Sequence, residues 1–290
     1  MLPDMTVVGK RAACIAVAGA LATSACSVPV GSADAAAPGT HAVYAVSRTT
    51  ELGAGGVRTE STEAVARFLV AAEPDSRALE LVGAALSLPE PGACLQFGRA
   101  RLPVLSGPVD LADPGIVLLR VGDREGPMTR RHLPDVADLV RGSVFTANTV
   151  DLPPGEHYEF RSAAGAVQGT APEELTHLRI NDEDFVDGMT LLTGGTGAQA
   201  GRLDLSWSPP RGPSGSSLVY IDVSSRDALT PTTRCTFEDR GVASLPVVAL
   251  DGMRDGLLAV HRVRRESQVQ PSSELRFDFA VRASFHTSGR

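Results

Sequence analysis

The sequence predicts an all-β protein in which two tandem β-sandwich domains follow an N-terminal signal segment. Two observations favour this fold class: period-two alternation of apolar and polar residues begins near residue 41, and Pro or Gly clusters interrupt it at short intervals. Hydrophobic residues are 43% and charged residues 21% of the chain, which indicates a globular protein rather than a disordered or polytopic membrane protein. A net charge of −7 without a basic stripe excludes a general nucleic-acid binder.

Residues 1–25 predict a secretory signal peptide. Lys10 and Arg11 end a charged region, and residues 12–22 form an uncharged run too short to cross a membrane as a helix. The next four residues, ending at Cys26, resemble a bacterial lipobox, and the resemblance implies lipid attachment at Cys26. Thr23 departs from that pattern, which usually has Leu there. The alternative is cleavage after the small residues 33–35, which would release the protein.

Residues 26–40 contain small residues, Pro and Gly but no large aliphatic side chain other than valine. Such a composition is typical of a flexible segment, because it offers little apolar surface to bury. We therefore predict a tether between the lipid-bearing cysteine and the first domain.

Residues 41–171 are predicted to form a first β-rich domain. Two segments also show helical signals: 76–86, which starts near an N-cap residue, and 134–140, which follows a proline at the first turn. The strands expected here are 42–50, 64–71, 79–88, 115–121, 143–150 and 156–162.

Residues 172–290 are predicted to form a second sandwich. Leu203, Leu205 and Trp207 alternate on one face, and a Pro-Pro break leads to a second alternating strand at 217–223. This stretch resembles the immunoglobulin-like and fibronectin type III sandwiches, and the resemblance implies a fold without an activity. The strands expected here are 175–180, 202–207, 217–224, 233–238, 256–264 and 274–285.

The segment 152–158 supports a sandwich in the first half as well. It resembles the turn before a late sandwich strand, where a tyrosine hydroxyl bonds back to the backbone, and this predicts such a contact for Tyr158. The chain as a whole resembles the uncharacterised lipoproteins of bacteria with GC-rich genomes, and Lys10 as its single lysine fits that resemblance.

Cys94 and Cys235 are the cysteines that remain beyond Cys26 after signal removal. Export would place them in an oxidising compartment, where a disulfide between them would tie the two halves together. The alternative is two buried thiols in separate cores, since free cysteine is among the most buried residue types.

Candidate ligand and catalytic residues are sparse. Asp182, Asp184 and Asp187 concentrate carboxylates in one loop and are the preferred calcium candidates, but their spacing is not that of an EF-hand and favours a solvated acidic turn. Glycines within 195–200 match a dinucleotide fingerprint, but no helix is expected after them, so we predict a flexible loop. The six histidines show no metal spacing, and no nucleophile elbow occurs. No other cofactor and no catalytic residue is predicted.

These features predict a cell-envelope lipoprotein that faces the periplasm or exterior and acts as a non-catalytic binding or structural module. Its partners would be a membrane, held through the lipid on Cys26, and an unidentified envelope protein. The first alternative is a secreted, adhesin-like binder. The second, from another class, is a hydrolase with a composite site between the two domains.

Overall fold

Extended strands dominate the part of the chain that the computed structural model describes, namely residues 39–71, 74–97, 108–133, 139–148, 151–192, 201–211, 217–226, 232–268 and 272–288. The one α-helix described is α1 (Ser76–Leu81), and short 3-10 turns occupy Ala54–Gly56 and Val247–Leu250. The strands are β1 (Thr40–Leu52), β2 (Arg58–Val70), β3 (Cys94–Phe97), β4 (Val109–Leu111), β5 (Leu118–Val121), β6 (Arg124–Pro127), β7 (Thr129–Leu133), β8 (Val140–Ala147), β9 (His157–Ser162), β10 (Gly165–Thr170), β11 (Arg179–Ile180), β12 (Glu183–Asp184), β13 (Met189–Leu192), β14 (Arg202–Ser206), β15 (Ser217–Ser225), β16 (Thr232–Glu238), β17 (Val242–Pro246), β18 (Asp255–Gln268) and β19 (Ser273–Ser288).

One large sheet runs through the described part of the chain. Its eleven strands follow the order β3-β16-β15-β18-β19-β1-β2-β4-β8-β7, with β13 also paired to β19. At its centre β1 and β19 are parallel, and Val46 lies opposite Phe277. The first described strand therefore pairs with the last.

Two four-stranded sheets accompany the large sheet, in the orders β10-β9-β5-β6 and β12-β11-β14-β17. Each packs on a different part of the large sheet through its own core. In the first core, Tyr158 and Phe160 of β9 pack with Tyr44 and Phe277 of the large sheet. In the second core, Leu203, Leu205 and Trp207 share a cluster with residues of β15, β18 and β19, namely Val219, Ile221, Val260 and Phe285.

The outer face of the large sheet, opposite these cores, is partly covered by α1 and by the segment that follows it. Asp75 caps α1, because its carboxylate accepts the backbone N–H of Ala78 at 2.7 Å. Val82 and Ala84, just beyond the helix, pack with Val43 and Leu69 of the sheet. This contact directs the chain across the outer face.

The all-β sandwich prediction is confirmed, but the tandem arrangement is not. The small sheets lie on either side of the predicted boundary near residue 171, whereas the large sheet takes strands from both predicted halves. In particular, β19 supplies Phe277 to the first core and Phe285 to the second.

The two helical signals had different outcomes. The helix expected over 76–86 exists but ends at Leu81, so the alternative strand at 79–88 is wrong. The second helix was expected over 134–140; residues 134–138 lie outside the described part, and Val140 begins strand β8. Val140 packs against the cluster that contains Val82 and Ala84, so its apolar character reflects burial in the sheet, and the helix expected there is wrong at Val140.

Candidate functional site

Polar and charged side chains form a layer on the outer face of the large sheet. Strand alternation places them there, because their chain neighbours, such as Val219 and Val260, point into the second core. Tyr220 on β15 lies directly opposite His261 on β18, and Asp278 on β19 lies opposite Val263. We call this set the polar layer; its members are Arg67, Tyr220, Asp222, Arg234, His261, Arg276 and Asp278.

The centre of the polar layer is the carboxylate of Asp278, which accepts two hydrogen bonds. The Tyr220 hydroxyl donates to Oδ2 at 2.5 Å, and Nδ1 of His261 lies 2.8 Å from Oδ1. Because an ionised carboxylate can only accept, Nδ1 is the protonated nitrogen of this imidazole. The two rings also stack, with centroids 4.1 Å apart and planes 15° from parallel.

The electrostatics of this centre follow from burial and from these two donors. Burial alone raises the pKa of Asp278, but His261, the Tyr220 hydroxyl and the positive charge of Arg276 outweigh it, so the pKa lies below its usual value. Burial, and then the adjacent Asp278 charge, raise the pKa of Tyr220 well above its usual value. Tyr220 is therefore a neutral donor and Asp278 a charged acceptor near neutral pH.

Arg234 closes one side of the polar layer. Its guanidinium makes a bidentate pair with Asp222, with Nε and Nη2 each 2.7 Å from a carboxylate oxygen. It also lies over the rings of Tyr220, 4.6 Å from the centroid, and Phe97, at 5.2 Å. These contacts fix the arginine against the sheet.

Residues 82–97, which we call the crossing segment, lie over the polar layer and are held at three points. Arg276 donates to the carbonyl of Ala84 at 3.0 Å, and Arg234 donates to the carbonyl of Ser87 at 3.0 Å. At the far end β3 pairs with β16, where Cys94 and Cys235 form a disulfide with their Cα atoms 4.0 Å apart. Opening of this segment would require these contacts to break.

A second, open site lies on the small sheet that contains β14 and β17. It is a groove of about 620 Å³ on the solvent side of these strands. Among its lining residues, Asp204 accepts the hydroxyl of Ser244 at 2.8 Å, and Val242 is 64% exposed. The groove is lined by Asn181, Asp182, Asp204, Leu205, Ser206, Val242, Ala243 and Ser244.

The calcium candidates take separate roles in the structure. Asp182 lies in the turn between β11 and β12, where its backbone has a φ of 64°. Asp184 is 3.5 Å from Arg179, and Asp187 accepts the hydroxyl and backbone N–H of Ser284. In the described ranges, no group of three or more His, Cys, Asp or Glu side chains is arranged to hold a metal ion. Calcium binding by these aspartates stays a prediction.

Other predicted residues fall in different places. Cys26 and the glycine-rich 195–200 lie outside the described residues. The Tyr158 hydroxyl donates to the carbonyl of Pro153 at 2.8 Å, which is the backbone contact that the sequence predicts. Of the other histidines, His41 has Nδ1 2.7 Å from the hydroxyl oxygen of Ser272, and His286 contacts Asp255.

Sequence reasoning missed most of the polar layer. Alternation within 217–224 places Tyr220 and Asp222 opposite the apolar side chains of that strand, and this was a usable signal for an outer-face position. Their contacts with Asp278 and Arg234 depend on pairing with other strands, which no local pattern specifies.

Comparison with known proteins defines no family for this all-β sandwich protein. No protein-family model and no curated protein matches the chain. Among solved structures, the Mu homology domain of Fcho1 from Danio rerio, with a bound Eps15 peptide, is 8% identical and has a TM-score of 0.24. The match covers 86% of this chain and 97% of that chain. A similarity this low supports no assignment. No helix within the described ranges is long and apolar enough to cross a membrane.

Proposed function

We propose that the protein is an exported cell-envelope lipoprotein, anchored through Cys26, that acts as a non-catalytic binding or structural module. The observation that carries this proposal is the disulfide between Cys94 and Cys235. Disulfides persist in oxidising compartments and are rare where thiols are kept reduced. Together with the signal-like residues 1–25, it favours a protein that functions outside the cytoplasm.

The anchor follows from the lipobox-like residues that end at Cys26. A single acyl chain binds a membrane only marginally, whereas the several chains of a bacterial lipoprotein give stable attachment. The small residues of 26–40 would then allow the sheets to stand away from the lipid surface.

A binding role is supported by the difference between the two sites. In the polar layer, Asp222 and Asp278 are occupied by partners within the chain, which is typical of side chains that hold a structure together. The groove beside β17 is open, and the exposed side chain of Val242 in its lining offers apolar contact to a partner. We therefore assign partner binding to the groove.

The anchor is tested by expressing the full-length chain in a bacterial host and measuring the intact mass of the mature N-terminus in membrane and soluble fractions. We expect diacylated or triacylated Cys26 in the membrane fraction, and a shift of the Cys26→Ser variant to the soluble fraction. An unmodified N-terminus at Ala36 in the soluble wild-type protein would refute the anchor and favour the secreted binder instead.

The partner surface is tested by photo-crosslinking in intact envelopes. A photoreactive residue at Val242 should give a discrete adduct, while the same residue at Val57, which is similarly exposed at 61% but lies on the turn between β1 and β2, should not. Equal labelling at both positions, or none at Val242, would refute the groove as the binding surface.

The hydrolase alternative has one specific observation in its favour, the pairing of His261 with Asp278. A carboxylate that orients an imidazole is part of many hydrolytic sites, but such a site also needs a nucleophile beside the imidazole. The third group here is Tyr220, whose hydroxyl donates to the same carboxylate. Labelling of the wild-type protein by a fluorophosphonate probe, lost in His261→Ala but retained in His132→Ala, would establish a hydrolase with a serine nucleophile; no labelling would reject that form of the alternative.

A further inference from the structure

One arginine in the described part of the chain is partly buried, has a buried Nε and lacks the carboxylate partner that comparable arginines have. Five arginines carry a buried Nε without a hydrogen-bond acceptor. Four of them nevertheless lie within 4 Å of a carboxylate. Nη2 makes this contact in Arg48 with Glu60, Arg161 with Glu125 and Arg282 with Glu51, and Nε makes it in Arg262 with Asp239. The fifth is Arg67, and no carboxylate of a described residue lies within 4 Å of it.

A second positive charge, that of Arg276, lies near Arg67 on the same face of the sheet. Arg67 projects from β2 on the outer face, and Arg276 projects from β19 on the same face, with β1 between them. Burial lowers the pKa of Arg67, the charge of Arg276 lowers it further, and the charge of Glu63 opposes these effects only in part.

Both guanidiniums reach the same turn of the crossing segment. Arg276 donates to the carbonyl of Ala84, and a side chain at Gly83 would place its Cβ 3.6 Å from Nη2 of Arg67. Gly83 has a φ of +65°, so the backbone bends here in a way that favours glycine. The turn thus brings Arg67, which has no carboxylate within 4 Å among the described residues, close to Arg276, whose Nη1 lies 3.9 Å from Glu274.

A buried Nε without an acceptor is unfavourable, and the planar array of N–H donors of a guanidinium matches the oxygens of an oxyanion. We propose that Arg67 and Arg276, at the turn around Gly83, form a binding site for a phosphate-type oxyanion, either free or carried by a lipid headgroup. The anion supplies the negative charge that Glu60, Glu125, Asp239 and Glu51 supply to the four other arginines. This site is distinct from the groove beside β17, and it depends neither on export nor on the lipid anchor.

The test compares phosphate binding by the purified full-length wild-type chain with that of Arg67→Gln and Arg282→Gln, by calorimetric titration and by thermal unfolding. Arg282 is the matched control, because its Nε is also buried and unbonded but it pairs with Glu51. Phosphate also stabilises most proteins non-specifically, because it is excluded from their surface. The unfolding temperatures of the wild type and both variants are therefore also measured in chloride at equal ionic strength.

We expect phosphate to bind the wild type and Arg282→Gln with similar affinity and Arg67→Gln at least about tenfold more weakly. In chloride, Arg67→Gln should unfold at or above the wild-type temperature, because it loses a partly buried charge that has no carboxylate partner. Equal phosphate affinity in all three proteins, or no binding by the wild type, would overturn the proposal.

Two additions keep the test decisive. If Arg67→Gln does not fold, Arg67→Lys, which keeps the charge but loses the planar donors, should show the same direction of weakening; wild-type affinity in that variant would overturn the proposal. Replacing phosphate with sub-micellar dihexanoylphosphatidylglycerol identifies the source. Tighter binding of the lipid indicates a headgroup site, and tighter binding of inorganic phosphate indicates a site for the free anion.

Discussion

Asp239 and Arg262 form an ion pair from which solvent is almost excluded, with side-chain exposures of 2% and 1%. Nη2 of Arg262 donates to Oδ1 of Asp239 at 3.1 Å. Nε lies 2.7 Å from Oδ2, but the two atoms are not aligned for a hydrogen bond, so this second contact is purely electrostatic. The pair links β18 to the end of β16.

Further hydrogen bonds join this pair to chain segments that have no regular structure. Arg262 donates to the carbonyls of Glu173, Glu174 and Ser208 at 2.7–3.2 Å. The indole of Trp207 donates to Oδ1 of Asp239 at 2.8 Å. Arg262 therefore holds the connection that follows β10 against the second core.

Asp239→Asn should destabilise the protein by about 3–5 kcal/mol, because it leaves the charge of Arg262 buried and unpaired while keeping an oxygen for the Trp207 indole. Urea unfolding at neutral pH measures the change. The control is Arg265→Gln, which breaks a half-exposed pair with Glu274 and should cost about 1 kcal/mol or less. A loss no larger than that of the control would show that the buried pair is not a major source of stability.

Removing the disulfide by Cys94→Ala together with Cys235→Ala should cost about 2–5 kcal/mol, since the bond closes a long loop across a sequence separation of 141 residues. Thermal unfolding with and without a reducing agent measures it. The reducing agent should lower the unfolding temperature of the wild type to that of the double variant and leave the variant unchanged. An unfolding temperature of the wild type that does not respond to complete reduction would contradict this role.

Tyr158→Phe should cost about 1 kcal/mol, because it removes the hydrogen bond to the Pro153 carbonyl and keeps the aromatic ring. Tyr158→Ala should cost about 3–5 kcal/mol, since the ring is fully buried and packs edge-on against Phe277 at 5.2 Å. Urea unfolding of both variants separates the hydrogen bond from the packing. Equal losses would show that the hydroxyl, rather than the ring, dominates this contact.

The second core was the part of the fold most accessible from sequence. The alternation of Leu203, Leu205 and Trp207 identifies a buried face without knowledge of its partner, and all three side chains are buried in the structure. The paired strand β15 is equally clear, because Val219 and Ile221 follow the same local rule. Local periodicity carries this information, since it depends only on which side of a strand meets the core.

The large sheet and the polar layer were not accessible in this way. Ala42 of β1 pairs with Ser273 of β19, and the energy of such a pairing depends on both strands together. The same holds for Asp278: its outer-face position follows from alternation, but its contact with Tyr220 requires the registers of two strand pairs. The predicted boundary near residue 171 therefore separates the two small sheets without detecting the sheet that they share.

Asp278→Asn should lower stability at neutral pH, and the loss should shrink as the solution becomes acidic. Burial raises the pKa of Asp278, but His261, Tyr220 and Arg276 together lower it below the usual value, so the folded state binds fewer protons than the unfolded state. The carboxylate's contribution is therefore fully present above the unfolded pKa, near 3.8, and is lost as the pH falls through the lower folded pKa.

Urea unfolding of the wild type and Asp278→Asn from neutral pH down to below pH 3.8 measures this difference. The control is Asp184→Asn, whose side chain is 87% exposed and whose effect should be small at every pH. A wild-type advantage over Asp278→Asn that stays constant across the acidic range would mean that the hydrogen bonds of Asp278, rather than its charge, stabilise the polar layer. A decrease of this advantage that is confined to acidic pH would show that the ionised carboxylate holds Tyr220 and His261 together.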